Sequence, residues 1–350
     1  GVNLHPYNAI YEDVKQLPAG TTVMVDKSKL NYAIFNNIPA SVHVVNKRNP
    51  AILMKALKNP VEVENIRKAQ IKDSIAHLRF MKWLKENVGK IRITELSASE
   101  KLDEFRKEMG NFIRDSFEPI SSFGPHSAIV HYCSSPETDV EFKEGTLYLS
   151  DTCAGFYEGS TDITRTFALG EVPQNMKDDF TLVAISNLQL GSAKFLQGCS
   201  GLTLDILARK PFWDRDMNFN HGTDHGVGYL LNIHEGPAGF RYKYRAGEVE
   251  EIQEGMIITD EPGFYVEGSH GIRLENELLA RKGEKNEYGQ FMYFETISLI
   301  PFDLDAINPD MLNVEDKKLL NDYHARVYET IAPLLKEDEK EFLKKYTRAI

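Results

Sequence analysis

The sequence predicts an α+β protein whose sheet is largely antiparallel. Short segments rich in β-branched and aromatic residues recur after residue 120, separated by glycine and proline turns, which is typical of strands. Helical patterns lie before and after these segments, and no glycine-rich nucleotide-binding fingerprint joins a strand to a helix. This distribution favours separate helical and antiparallel layers over a doubly wound parallel sheet.

The first 56 residues form a small α/β piece. Strands are predicted at 21–26 and 41–45, with a helix at 27–35 between them. Because this piece is too short to be a domain by itself, we place a boundary near residue 56.

Asn59, followed by proline, opens a long predicted helix. Asparagine is a favoured N-cap residue and proline a favoured first helical residue. Ile71, Ile75 and Leu78 repeat at helical spacing and predict a buried face. A second helix is predicted at 95–109.

The remainder alternates between predicted strands and helices. Strands are predicted at 128–131, 146–150, 162–167, 255–260 and 271–280, and helices at 174–197 and 203–210. Asn313 and Asp316 resemble a capping pair ahead of a last helical region. We therefore divide this part into a main domain at 57–302 and a C-terminal helical extension at 303–350.

Composition restricts the classes of partner. The formal net charge of −11 is unfavourable for binding nucleic acid or an anionic membrane surface. The three cysteines are too few for a disulfide framework, and no long apolar segment or signal peptide is present. These features predict a cytoplasmic protein.

Four carboxylates and one histidine stand out by their positions. Asp151, Asp162, Glu261 and Glu275 lie within or at the ends of predicted strands, and His225 precedes a glycine-rich turn. Any one of them alone is more often a turn former or a solvated strand residue. Together they predict a site for hard divalent cations, since a lone buried carboxylate is costly.

The segments around these residues resemble the metal motifs of the aminopeptidase P family. The two aspartates are 11 positions apart within 150–166, as in the first motif of the family. Similar segments lie at 221–228 and 231–237 for the histidine motif, at 259–265 and 271–276 for the two glutamate motifs, and at 94–98 and 128–131 for weaker landmarks.

The resemblance implies the pita-bread fold and two divalent ions, with Mn²⁺ favoured and Zn²⁺ or Co²⁺ as alternatives. Asp151 would bind one ion, His225 and Glu261 the other, and Asp162 and Glu275 would bridge them. A hydroxide between the ions would hydrolyse the bond before a proline in second position of a peptide, with Glu261 accepting its proton.

Four further residues acquire roles only through this resemblance. His234 would steady the carbonyl oxygen of the tetrahedral intermediate, and His221 would line the proline side of the substrate. His131 would lie near the substrate, and Arg273 would support the site by pairing with carboxylates.

The chain also differs from the family pattern. Asp224 stands where the family usually has a small residue, between two predicted site histidines. Three-domain members carry two domains ahead of the catalytic one, so we expect this chain to be an N-terminally truncated catalytic fragment whose first 56 residues are the tail of a creatinase-like domain. By analogy with the family, the helices after residue 313 would support a homodimer, although they would equally pack on their own domain.

Two other functions remain open at this level. A prolidase would accept only dipeptides ending in proline. A binding module with this fold but no catalysis is a different class, and such proteins typically lose metal ligands, whereas all five ligand positions are present here.

Overall fold

The computed structural model describes residues 1–230, 232–244 and 250–350 and divides into two compact units, Gly1–Met54 and Lys55–Ile350. The elements of the first unit, with a helix that extends past its end, are α1 (Ile10–Asp13), β1 (Thr22–Val25), α2 (Tyr32–Asn36), β2 (His43–Asn46) and α3 (Pro50–Ala56). Strands β1 and β2 pair in parallel. The helix predicted at 27–35 is wrong in extent, because Asp26 accepts hydrogen bonds from the Ser28 amide and hydroxyl and fixes a turn, while Asn31 caps α2.

Six helices belong to the large unit. They are α4 (Pro60–Asn87), α5 (Glu95–Glu108), α6 (Gln174–Gly191), α7 (Gly201–Trp213), α8 (Val314–Ile331) and α9 (Glu337–Tyr346), as found within the described residues. The predicted start of α4 is confirmed, because the Asn59 side chain accepts hydrogen bonds from the amides of Val61 and Glu62. Glu62 returns a bond to the Asn59 amide and completes the capping box.

The strands of the large unit are short except for the β5–β6 and β13–β14 hairpins. In the described part of the chain they are β3 (Phe112–Asp115), β4 (Ile120–Phe123), β5 (Thr146–Phe156), β6 (Gly159–Leu169), β7 (Lys194–Leu196), β8 (Gly226–Val227), β9 (His234–Glu235), β10 (Ile257–Asp260), β11 (Gly263–Val266), β12 (His270–Arg273), β13 (Asn276–Asn286) and β14 (Gly289–Thr296).

All recorded strand pairs of the large unit are antiparallel, which confirms the predicted sheet type among the described residues. One sheet has the order β7-β14-β13-β10-β8-β9. In another, β5 pairs with β6 along one edge and with β3 and β4 along the other, and β11 pairs with β12 separately. The predicted site residues lie on strands of all three sheets or beside them.

Three predicted elements of the large unit differ from the structure. The segment 128–131 is a loop rather than a strand, because Glu95 accepts hydrogen bonds from the Phe123 amide, His126 and the Tyr132 hydroxyl and draws the chain into turns. The single strand predicted at 271–280 is two strands in different sheets. The break lies at Glu275, whose amide bonds to the carbonyl of Thr164 on β6.

The helix predicted at 174–197 ends at Gly191. The residues beyond it turn back, and β7 then pairs with β14 in the six-stranded sheet. Gly191 lies against Asp260, so the chain leaves the helix beside β10.

The main hydrophobic core lies between α4, α6, the β5–β6 hairpin and the C-terminal helices. Leu320, Tyr323, Val327 and Ile331 turn the apolar face of α8 into this core, so that face packs on its own unit. In the described residues, none of the helices combines the length and the apolar character that crossing a membrane requires.

Candidate functional site

The β5–β6 hairpin brings the first two predicted ligands together. Asp151 lies in the middle of β5 and Asp162 near the start of β6, and both are buried. In the antiparallel register Asp162 is opposite Cys153, two residues from Asp151, so the two aspartates share one face of the hairpin. The 11-residue spacing in the sequence is therefore the geometry of a tight hairpin.

The other three ligands reach this face from neighbouring strands. His225 lies just before β8 and Glu261 just after β10, and the amide of Thr259 bonds to the carbonyl of His225. Glu275 lies between β12 and β13, where its amide bonds to β6. One ligand atom each from Asp162, His225 and Glu275 lie within 4.8 Å of one another. His225 Nε2 is 3.2 Å from Asp162 Oδ2 and 3.8 Å from Glu261 Oε1.

The site residues line one cavity of about 540 Å³. It is lined by all nine residues singled out in the sequence: His131, Asp151, Asp162, His221, His225, His234, Glu261, Arg273 and Glu275. The structure thus gathers residues that are up to 144 positions apart, as His131 and Glu275 are. Leu231, the first residue of the predicted 231–237 segment, lies outside the described residues.

Three of the site carboxylates have raised pKa values. Burial and the nearby charge of Asp151 raise the pKa of Asp162 well above its usual value. Burial and the charge of Asp162 do the same for the pKa of Glu275. For Glu261 burial is again the main cause of a raised pKa. A bound cation would stabilise the ionised forms, so the donor set fits a divalent metal.

The orientations of Asp151 and His225 also fit a bound divalent metal. Arg273 donates from Nε (3.2 Å) and Nη2 (2.5 Å) to Oδ2 of Asp151, which leaves Oδ1 buried and without a hydrogen-bond partner among the described residues. His225 Nδ1 is 2.9 Å from the carbonyl oxygen of Gly226. This assigns the proton to Nδ1 and leaves the Nε2 lone pair for a metal, as is usual for a metal-binding histidine.

A hydrogen-bonded chain fixes His221. Arg273 Nη1 donates to the Tyr265 hydroxyl (2.7 Å), which lies 3.0 Å from His221 Nε2, and His221 Nδ1 is 2.7 Å from the Gly222 carbonyl oxygen. Burial lowers the pKa of His221 to about 4, so the ring is neutral at pH 7. Since both ring nitrogens are engaged, His221 offers the cavity a fixed ring rather than a proton donor.

His131 and His234 are more open. Both are exposed, and the His234 ring lies 4.2 Å from the His225 ring and stacks on Phe117 at 6.4 Å. Desolvation at the cavity wall and the nearby His225 lower the pKa of His234 to about 4. His234 is therefore neutral at pH 7, and a neutral imidazole donates one N–H.

The hydrogen bond recorded for Asp224 among the described residues comes from the backbone and not from His225. One of its carboxylate oxygens accepts a hydrogen bond from the Phe240 amide, and the other is buried without a hydrogen-bond partner in the described part of the chain. Its departure from the family pattern thus affects the backbone at 239–240.

Sequence reasoning missed several supporting residues. Glu277 accepts the Asp162 amide (2.7 Å), Thr164 donates to Glu275 (2.7 Å), and Thr259 donates to Glu261 (3.2 Å). The available signal was strand alternation, which places Thr164 two residues after Asp162 and Thr259 two before Glu261. That alternation did not show which of the same-face residues would touch a ligand.

Three segments of the chain match known protein families. Residues 64–282 match metallopeptidase family M24, 290–350 match the C-terminal region of that family, and 1–62 match a creatinase/prolidase N-terminal domain. The chain belongs to metallopeptidase family M24. Its fold is accordingly the pita-bread fold of that family.

Relatives within this family carry a narrower name. The chain is 35% identical to aminopeptidase P1 of Arabidopsis thaliana, with 93% of this chain and 54% of the relative covered. It is 34% identical to Xaa-Pro aminopeptidase 1 of Dictyostelium discoideum, with 96% and 54% covered. The chain therefore spans about half the length of these curated relatives.

Solved M24 structures agree on the fold. An X-prolyl aminopeptidase from Caenorhabditis elegans, described as a cytosolic enzyme with a di-nuclear active site, superposes with a TM-score of 0.89 at 30% identity, with 99% of this chain and 58% of that chain covered. A prolidase from Pyrococcus furiosus superposes with a TM-score of 0.64 at 24% identity, covering 85% and 80%, and that likeness shows the fold alone.

Proposed function

We propose that this chain is a metal-dependent Xaa-Pro aminopeptidase, which hydrolyses the bond between the first residue of a peptide and a proline in second position. The observation that carries the proposal is the single cavity in which three buried carboxylates, the partly buried Glu261 and His225 meet three further histidines and Arg273. The similarity to Xaa-Pro aminopeptidases over more than nine-tenths of the chain supports the substrate class.

Two divalent ions are part of this proposal. Asp162 and Glu275 would bridge them, Asp151 would hold one, and His225 and Glu261 the other. The oxygen-rich donor set favours Mn²⁺, with Zn²⁺ and Co²⁺ as alternatives. When bound, the ions would supply Lewis-acid activation of water and of the scissile carbonyl.

The protein groups would do the remaining work. Glu261, whose pKa is raised mainly by burial, would accept the proton of the attacking water. Neutral His234 would donate its N–H to the oxygen of the scissile carbonyl as charge develops there. His221, fixed by Tyr265 and Gly222, would form a rigid wall for the proline ring, and His131 would contact the substrate. Arg273 would orient Asp151.

The proposal extends to the cellular setting of the whole protein. The low cysteine count and the cytosolic description of the Caenorhabditis elegans enzyme support a cytoplasmic location. A homodimer stays a prediction of the family resemblance. Because α8 buries its apolar face in its own unit, the dimer would need another surface, and light scattering after size-exclusion chromatography would test it.

The decisive experiment is hydrolysis of Arg-Pro-Pro by metal-stripped protein with Mn²⁺ titrated back. We expect release of the first residue only with metal, and none from an Asp162→Asn, Glu275→Gln double variant. Preference for an Xaa-Pro dipeptide over the tripeptide would move the function to prolidase. Stoichiometric metal binding without turnover of either peptide would favour the binding module, and absence of metal binding would contradict the proposal altogether.

A further inference from the structure

A buried lysine lies just before α4. The side chain of Lys58 is 2% exposed, and its amide donates to the carbonyl of Gly255. Burying an ammonium group is unfavourable unless charged or polar partners compensate the lost hydration. The partners of Lys58 therefore fix its position and are fixed by it.

Those partners lie on β8, which directly follows His225, and on β9, which contains His234. Lys58 Nζ donates to the carbonyl oxygen of Val227 on β8 (2.5 Å) and to Oε1 of Glu235 on β9 (2.8 Å). In the antiparallel register Val227 is opposite His234. One ammonium group thus joins both strands of a hairpin that has only two residues on each side.

His234 depends on this hairpin for its position. Among the described residues, no hydrogen bond is recorded for its imidazole, which contacts the rings of Phe117 and His225. Its backbone immediately precedes Glu235, the residue held by Lys58. The direction of the imidazole therefore follows from where β9 lies.

We propose that Lys58 is a positioning residue for His234. By joining β8 to β9 it holds the His234 imidazole at the wall of the cavity, and so affects the step in which that imidazole meets the carbonyl oxygen. This kinetic consequence rests on the proposed function, whereas the positioning itself does not.

The chain offers a matched control on the same carboxylate. Lys55 Nζ lies 3.0 Å from Oε2 of Glu235, but its side chain is 54% exposed. Exposed ion pairs contribute little to stability, because water screens them. Lys55→Met thus removes a lysine from Glu235 without removing the buried link between the strands.

The first test is a double-mutant cycle on peptide hydrolysis with Lys58→Met and His234→Ala. We expect Lys58→Met to lower kcat by between about tenfold and about a hundredfold, with KM and metal content unchanged, as misplacement of a supporting group does. In the His234→Ala background, Lys58→Met should cause no further loss, and Lys55→Met should match the wild type. Additive losses, or equal effects of the two lysine variants, would overturn the proposal.

The second test needs no turnover. In a ¹H–¹³C spectrum of histidine-labelled, metal-free protein, the His234 ring signal is the one lost in His234→Ala. We expect it to shift or split in Lys58→Met and to stay in place in Lys55→Met. An unmoved signal in a folded Lys58→Met variant would refute the positioning role even if the wild type hydrolyses peptides.

A further variant tests the proposal even if Lys58→Met does not fold. Lys58→Met alone leaves Glu235 buried without its main partner, whereas Lys58→Met with Glu235→Met replaces both partners by apolar groups of similar length, which is often close to neutral for stability. The same displaced His234 signal is expected in this folded double variant, and a wild-type signal there would contradict the proposal. If the wild type turns over no peptide but the signals behave as expected, only the proposed function fails.

Discussion

Buried carboxylates lie at both faces of the β5–β6 hairpin, but their neighbours differ in charge. Towards α4 and α5, Asp73 receives Nε and Nη2 of Arg106 at 2.8 and 3.1 Å, and Thr161 donates to it at 2.6 Å. On the other face, Asp151 and Asp162 meet further carboxylates. Thr161 and Asp162 are consecutive residues, so a single step along the strand separates the two environments.

The contrast shows which buried carboxylates need something from outside the protein. Burial opposes ionisation of Asp73, but the charge of Arg106 outweighs it and holds the pKa of Asp73 well below its usual range. Among the described residues Asp162 has no guanidinium partner of this kind, and burial together with the charge of Asp151 raises its pKa. At equal burial, one face therefore has a structural ion pair and the other has the proposed cation-binding site.

The largest expected effect is a loss of activity from a change at the face with Asp151 and Asp162. We call it the unpaired face, and the face that meets Asp73 and Arg106 the paired face. Glu275→Gln keeps the shape of the side chain but removes a charge that we assign to both ions. We expect kcat/KM for a peptide with proline in second position to fall by at least about 10³-fold, since activation of water by metal is lost. The measurement is steady-state kinetics together with metal content by mass spectrometry.

Asp73→Asn is the matched control for that variant, because it removes a carboxylate of α4 that packs against the opposite face of the same hairpin. It should keep two ions per chain. If Glu275→Gln kept two ions and its activity, the proposed difference between the two faces would be wrong.

On the paired face the effect should be on stability. Arg106→Met leaves Asp73 buried without its cation, and we expect the free energy of unfolding in urea to fall by about 3–5 kcal/mol. Adding Asp73→Leu should recover much of that loss, since neither charge then remains. A cost below about 0.5 kcal/mol, as for an ordinary surface change, would show that this pair contributes little.

Arg273 sharpens the comparison, because its guanidinium reaches the unpaired face and pairs with Asp151. Arg273→Lys cannot reproduce the guanidinium contacts to Asp151 and Tyr265. We expect metal affinity, measured by titration calorimetry, to fall by about 10–100-fold. Arg67→Lys, which alters a similar paired contact to Glu295 away from the cavity, should leave the affinity unchanged.

The smallest effect is a difference in pH dependence in metal-free protein. The lowered pKa of Asp73 contributes stability that is present above about pH 4 and lost as the pH falls. The raised pKa values of Asp162 and Glu275 contribute stability that is present below about pH 4 and lost as the pH rises through them. Burial likewise raises the pKa of the adjacent Glu277 to about 8.

Urea unfolding between about pH 5 and about pH 8 should therefore show the metal-free wild type losing more stability than Glu275→Gln over this interval. Saturating Mn²⁺ should abolish the difference for the wild type. Parallel stability curves without metal would mean that the carboxylates ionise without cost.

Much of this could be predicted from the sequence because the signals are local. The Asn59 cap, the antiparallel character of the sheet and the 11-residue spacing of Asp151 and Asp162 depend on neighbours within a hairpin or a helical turn. The loop at 128–131 was mispredicted because Glu95, more than 30 positions away, decides its shape. Lys58 and Glu235, separated by 177 positions, gave no pattern at all.

The sequence by itself determined the chemical types at the site, their order and their resemblance to one family. Only the tertiary structure decided which buried charges are paired. Asp73 finds Arg106 on the next helix, while Asp162 faces Asp151, Glu261 and Glu275 from three other segments. The physical reason is that the free energy of a buried charge depends on the groups within a few ångströms of it, and the fold chooses those groups from distant parts of the chain.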